Sequence, residues 1–153
     1  MAGCGGKHFD GTVYRRGDVV FAVDAPPSGW RPIEVTGALL AYRDDRLEAT
    51  IAVSGRCGKD GDDVPLEALT QHLFIHFTER EVVEQKRLSM DGREAMRTEM
   101  VAKLDGVARG FVVYVLKKDG CVYDFLYIGS PDSLASDVEP FDRYVAGFRT
   151  EPR

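Results

Sequence analysis

His72 and His76 stand four residues apart in LTQHLFIHFTERE, with Glu79 close behind. On a helix the two imidazoles share a face, and with the carboxylate one turn on they form a ligand set for a divalent metal. The same spacing has a plainer use. Both histidines fall at the border of an apolar stripe, where amphipathic side chains commonly sit half buried. HxxxH also lacks the glutamate beside the first histidine that HExxH uses as its base.

Other residue types with chemical potential are less well arranged. Asp60, Asp62 and Asp63 resemble half of a calcium loop. The glycine at the sixth place and the bidentate glutamate at the twelfth do not line up, so a turn and a helix cap explain the cluster. Ser54, Ser89 and Ser130 have no GxSxG context, and Glu79 and Glu81 read as the solvated end of a helix. Nothing here motivates an enzyme, and no cofactor is implied.

The three cysteines, Cys4, Cys57 and Cys121, carry more. Ala2-Gly3-Cys4 has the small residues that a lipoprotein signal peptidase accepts before the cysteine to be lipidated. An export signal also needs a charged start and an apolar stretch of roughly 7 to 15 residues. Either the triplet is chance or a leader has been cut off. With Cys4 lipidated, Cys57 and Cys121 remain as a pair, the count an oxidising compartment favours. A bridge between them would close a loop of about 65 residues and stabilise by roughly 4 kcal/mol in the chain-entropy model. The alternative is two buried thiols behaving as small hydrophobes.

Around these residues lies a chain of 153 positions, 44% hydrophobic and 29% charged, which fits one globular domain with a core of its own. The net charge of -5 and the scattering of basic residues as pairs such as Arg15-Arg16 and Lys117-Lys118 argue against nucleic acid as a partner. Residues 1–11 contain four glycines without a period and read as a tether, leaving 12–153 as a single domain. His8 falls in that tether.

Short strands are expected over 12–15, 19–24, 39–42 and 49–53, with APPSGWRP turning the chain before Trp30. Leu66, Leu69, Leu73 and Phe77, at spacings of 3, 4 and 4, predict an amphipathic helix over about 64–79. Longer strands follow at 82–88, 93–104, 111–116 and 122–128, divided by MDG, LDG and KKDG, in which each Asp-Gly favours a tight reversal. FVVYVL and much of CVYDFLYI are apolar on both sides, so the sheet must be covered twice. The second cover is a helix over about 137–148, with Val138, Phe141, Val145 and Phe148 on one stripe and Pro140 in its first turn. The expected fold is α+β, an α/β/α sandwich around an antiparallel meander of six to eight strands.

FAVDAPPSGW (Phe21 to Trp30), PLEAL after a central strand, and FDRYVAGF (Phe141 to Phe148) together resemble the PsbP, DcrB and Ran-binding Mog family over about residues 12–149. The resemblance implies the same sandwich. It also implies an extrinsic subunit, an envelope protein or a GTPase binder, with no catalytic motif to transfer. Bacterial members are often exported lipoproteins, in agreement with Cys4 as a lipid attachment site. The leading expectation is therefore a non-catalytic, monomeric envelope protein on the periplasmic side, held to the membrane by its N-terminal lipid. Its exposed loops at Pro26–Trp30 and Asp60–Asp63 would touch an unidentified protein. A small-ligand or metal carrier using His72 and His76 is the rival, and a cytosolic GTPase-binding module the third reading.

Overall fold

A computed structural model describes residues 7–58 and 64–150. Along the chain come β1 (His8–Phe9), β2 (Val13–Arg16), β3 (Val19–Ala22), β4 (Arg31–Ile33), β5 (Leu40–Asp44) and β6 (Ala49–Cys57). The helix α1 (Leu66–Leu73) leads into β7 (Thr78–Met90), β8 (Arg93–Leu104), β9 (Val107–Lys118) and β10 (Cys121–Gly129), and α2 (Ser133–Ser136) and α3 (Glu139–Ala146) close the chain.

Three Asp-Gly pairs set the register of the largest sheet. Asp91-Gly92, Asp105-Gly106 and Asp119-Gly120 are each a two-residue hairpin loop, with φ of 51°, 52° and 53° at the aspartates and 81°, 82° and 78° at the glycines. Positive φ at both central residues is the turn whose twist matches that of the flanking strands. The meander β7 to β10 follows, and β6, β5 and β4 extend it to a seven-stranded antiparallel sheet of order β4-β5-β6-β10-β9-β8-β7. A second, three-stranded sheet, β1-β2-β3, forms a separate hydrogen-bonded ladder.

Both faces of the large sheet are dry at its centre. On one, Phe125 and Tyr127 of β10, Val112 and Tyr114 of β9 and Ile51 and Val53 of β6 pack under Phe141, Tyr144, Val145 and Phe148, joined by Tyr14 and Phe21 of the small sheet. On the other, Met96 and Met100 of β8 and Phe111, Val113 and Val115 of β9 pack under Leu66 and Leu69 of α1. This is the expected α+β sandwich covered twice, with the small sheet sharing one of the two layers.

Several boundaries differ from the sequence reading. The helix expected over 64–79 ends at Leu73, and Phe74–Phe77 close it by i to i+3 bonds such as Phe77 N–H to Phe74 O at 3.0 Å. From Thr78 onward the β-branched residues pair with β8, so strand formation overrides the helical period. Phe77 keeps its place in the apolar layer, stacked on Phe111 with centroids 4.7 Å apart. The C-terminal helix expected over 137–148 is shorter, Glu139–Ala146, and a separate turn of helix at Ser133–Ser136 precedes it. Residues His8–Phe9, read as tether, pair with Tyr14 and Arg15 of β2, so the folded region starts earlier than position 12. A Cβ at Gly147, just past α3, would collide with the side chain of Asp24, just past β3.

Candidate functional site

Ala25 to Trp30, the β5–β6 turn and the joint between α2 and α3 surround a cleft of about 640 Å³. Its wall begins with the PSGW turn. Trp30 N–H donates to Pro27 O at 3.2 Å, and Gly29 at the third position has φ +92°, as that reversal requires. Trp30 is only 8% exposed, with its ring 6.3 Å from that of Tyr127. The tryptophan expected as an exposed contact is therefore a floor residue, and the exposed part of its loop is Asp24, Ala25, Ser28 and Gly29.

The second wall is built on Asp44, which is fully buried at the end of β5. Its carboxylate accepts from Arg46 Nη2 at 3.0 Å and from the backbone N–H groups of Arg46 and Leu47 at 2.9 and 3.3 Å. The Arg46 guanidinium, then these backbone donors, hold the Asp44 carboxyl below the usual carboxylate range. Arg46 itself remains largely in solvent. Gly29 gives it room, since a Cβ there would lie 3.2 Å from Arg46 Nη2.

Tyr144 of α3 closes the floor at 3% exposure, edge-on to Tyr42 at 5.9 Å. Its hydroxyl has no hydrogen-bond partner among the described residues, and burial pushes the phenol well above the ordinary tyrosine range. The mouth carries Asp24, paired with Arg149 at 3.3 Å, and Arg143, paired with Glu139 at 3.1 Å. Ser136 Oγ donates to Asp137 at 3.1 Å, and no imidazole lines the cleft. Apolar floor and paired charges at the rim suit recognition of a surface.

The other sequence-derived candidates lie elsewhere. His72 sits in the last turn of α1 and His76 beyond it, and both are exposed, where the sequence suggested a half-buried pair. Glu79, at φ 49° beside an irregularity in β7, pairs with Lys103 at 2.9 Å. The three are thus not gathered, and among the described residues no group of three His, Cys, Asp or Glu side chains could hold a metal. Cys57 and Cys121 face each other directly across β6 and β10 and form a disulfide, with Cα atoms 3.9 Å apart. Cys4 and Asp60–Asp63 lie outside the described residues. Among the described residues no helix is long and apolar enough to cross a membrane.

Three buried charges escaped the sequence reading, Asp44 of the cleft wall among them. Arg97 of β8 and Asp124 of β10 are 8% and 7% exposed. The signal for Asp124 was present, a carboxylate inside the apolar run CVYDFLYI, where a charge needs a reason.

No protein-family model and no curated protein matches the chain. Solved structures do. The cyanobacterial PsbP protein CyanoP from Synechocystis sp. PCC 6803 superposes with a TM-score of 0.61 at 17% identity, covering 98% of each chain. LpqN of Mycobacterium tuberculosis, described as involved in cell envelope biogenesis, gives 0.62 at 16% identity over 92% of this chain and 90% of its own. PA94 of Pseudomonas aeruginosa, a protein of unknown function, gives 0.57 at 11% over 93% and 98%. At these identities the likeness establishes a PsbP-like fold.

Proposed function

We propose that this PsbP-like domain is a non-catalytic accessory protein of the cell envelope, on the periplasmic side, held by lipid on Cys4 and docking another protein at the cleft floored by Trp30 and Tyr144. The Cys57–Cys121 bridge carries the reading. Such a bridge persists where thiols are oxidised and is rare in the cytosol, so it supports export and weighs against a cytosolic GTPase-binding module. Ala2-Gly3-Cys4 supports the anchor, and the fold shared with LpqN supports the compartment. One acyl chain binds membrane only marginally, so the mature N-terminus carries more than one.

Fractionation of cells expressing the full gene, with thiol alkylation before lysis and intact-mass analysis, tests this reading. Recovery in the envelope fraction with acyl mass on Cys4 and no alkylation of Cys57 or Cys121 is expected. A cytosolic protein with two alkylated thiols would overturn it. For the cleft, a photo-crosslinker at Ser28 is expected to capture a discrete envelope partner that one at exposed His72 does not.

A further inference from the structure

Asp124 occupies the middle of β10, opposite Ser54 of β6 and Val115 of β9. Alternation along the strand turns Val122, Asp124 and Leu126 toward α1, and Phe125 and Tyr127 toward α3. Where the C-terminal end of α1 passes over these strands, a cavity of about 90 Å³ remains. Leu73, Phe74, Phe77, Leu126 and Ala52 form its walls, and Asp124 and Ser54 are its polar groups.

These polar groups present acceptors. Among the described residues the Asp124 carboxylate accepts no hydrogen bond. The nearest cation, Arg56 Nη1, is 3.9 Å away on a half-exposed side chain that is not part of the cavity wall. Ser54 Oγ donates its proton to Gly37 O at 3.2 Å, so toward the cavity it offers lone pairs. A buried carboxylate without donors is costly, and an anion or a second acceptor would make it worse. The complementary ligand is positively charged, donates several hydrogen bonds, accepts none, and carries an apolar stem. The volume equals the share of about three waters, so it encloses the ammonium end of a short chain and leaves the rest of the stem along the apolar wall.

We propose that this cavity binds a short protonated primary amine, its alkyl chain against Leu73, Phe74 and Phe77 and its ammonium on Asp124 and Ser54. The chemistry is the same whether the amine is a free small molecule or the lysine side chain of a partner protein. An ammonium fits better than a guanidinium, whose planar fork brings five donors to a site with few acceptors. The site lies on the opposite face of the sheet from the Trp30 cleft, so it stands or falls independently of the docking role given to that cleft.

Amide NMR titrations of the full chain test it with three probes: n-butylammonium chloride, butan-1-ol of equal heavy-atom count, and lysine blocked at both ends. Saturable shifts confined to the amides of Ser54, Leu73, Phe74 and Asp124 are expected with butylammonium, and binding at least tenfold weaker with the alcohol. Asp124→Asn, isosteric and uncharged, is expected to weaken amine binding at least tenfold, and Leu73→Trp to abolish it by filling the space, each with a dispersed native spectrum. Blocked lysine binding as well as butylammonium assigns the site to a partner's side chain, and butylammonium binding alone assigns it to a free amine. Absence of saturable shifts with both amines, equal binding of the alcohol, or unchanged binding in Asp124→Asn overturns the proposal.

Discussion

Arg97 of β8 and Asp142 of α3, 45 residues apart, are joined by two parallel hydrogen bonds, Nε to Oδ1 and Nη2 to Oδ2, each 3.1 Å long. Nη1 donates in addition to Glu99 at 2.9 Å, and the Tyr114 hydroxyl donates to Asp142 at 2.5 Å. A planar fork against a carboxylate fixes distance and orientation together. It therefore holds α3, and with it Tyr144 and the floor of the cleft, against the sheet.

Removing one partner strands the other. Asp142→Ala leaves the Arg97 cation buried with only Glu99 and a distant Glu84, at 3.5 Å, to compensate. Breaking a buried pair costs about 3 to 5 kcal/mol, and the partial exposure of Asp142 puts the expected loss near 3 kcal/mol. Urea denaturation should show this as a lower midpoint at unchanged slope. Arg97→Met with Asp142→Leu, which removes both charges, should recover most of the stability.

The disulfide predicts a redox dependence. Cys57 and Cys121 are 64 residues apart, and constraining that loop in the unfolded chain is worth about 4 kcal/mol. Cys57→Ser with Cys121→Ser should lower stability by a similar amount, and wild type measured with and without reductant should differ by as much. An identical denaturation midpoint in both conditions would show that the bridge contributes nothing.

The parts of this molecule written in local sequence were legible, and those arising from long-range pairing were not. Three Asp-Gly pairs between alternating runs gave the meander with its turns, because positive φ is a property of those two residues alone. The double cover followed from runs such as FVVYVL, apolar on both sides. The end of α1 was hidden because the stripe Leu66, Leu69, Leu73, Phe77 continues past Leu73, and only pairing with Lys103 of β8, far along the chain, draws Thr78 into the sheet. Arg97 looked like one charge on an alternating strand. Nothing near it in sequence says that Asp142 of the last helix will sit above it. Trp30 could be read either as a loop contact or as a filler of the core's end, and only the ring of Tyr127 beneath it decides for the second.

The hairpin turns predict a position-specific cost. Gly106 has φ +82° with open space where a Cβ would stand, so Gly106→Ala meets a conformational penalty and no steric one. A left-handed residue other than glycine costs about 1 to 2 kcal/mol, and a loss of that size is expected in thermal or urea denaturation. Asp105→Asn, at φ 52°, should be nearly neutral because asparagine tolerates that region, whereas Asp105→Val should cost more than the alanine.

Asp124 predicts a pH dependence of stability with the opposite sign to that of most carboxylates. Burial in the cavity under α1, opposed by the charge of Arg56, pushes its carboxyl up to about 6 from 3.8. Between those two values the folded protein binds a proton that the unfolded chain releases, so stability falls as pH rises through the interval. Above pH 6 the native state holds an ionised, poorly hydrated carboxylate at a cost of roughly 3 kcal/mol, and below pH 4 that cost is gone. Asp44 and Asp91, whose carboxyls are held below the usual range, act the other way and favour the native state above pH 4. The two contributions separate by comparing variants. Asp124→Asn should match wild type near pH 4 and exceed it by about 2 to 3 kcal/mol at pH 7 to 8. A difference independent of pH over that range would show that Asp124 titrates as an ordinary surface aspartate, and that its carboxylate is hydrated where the fold places it.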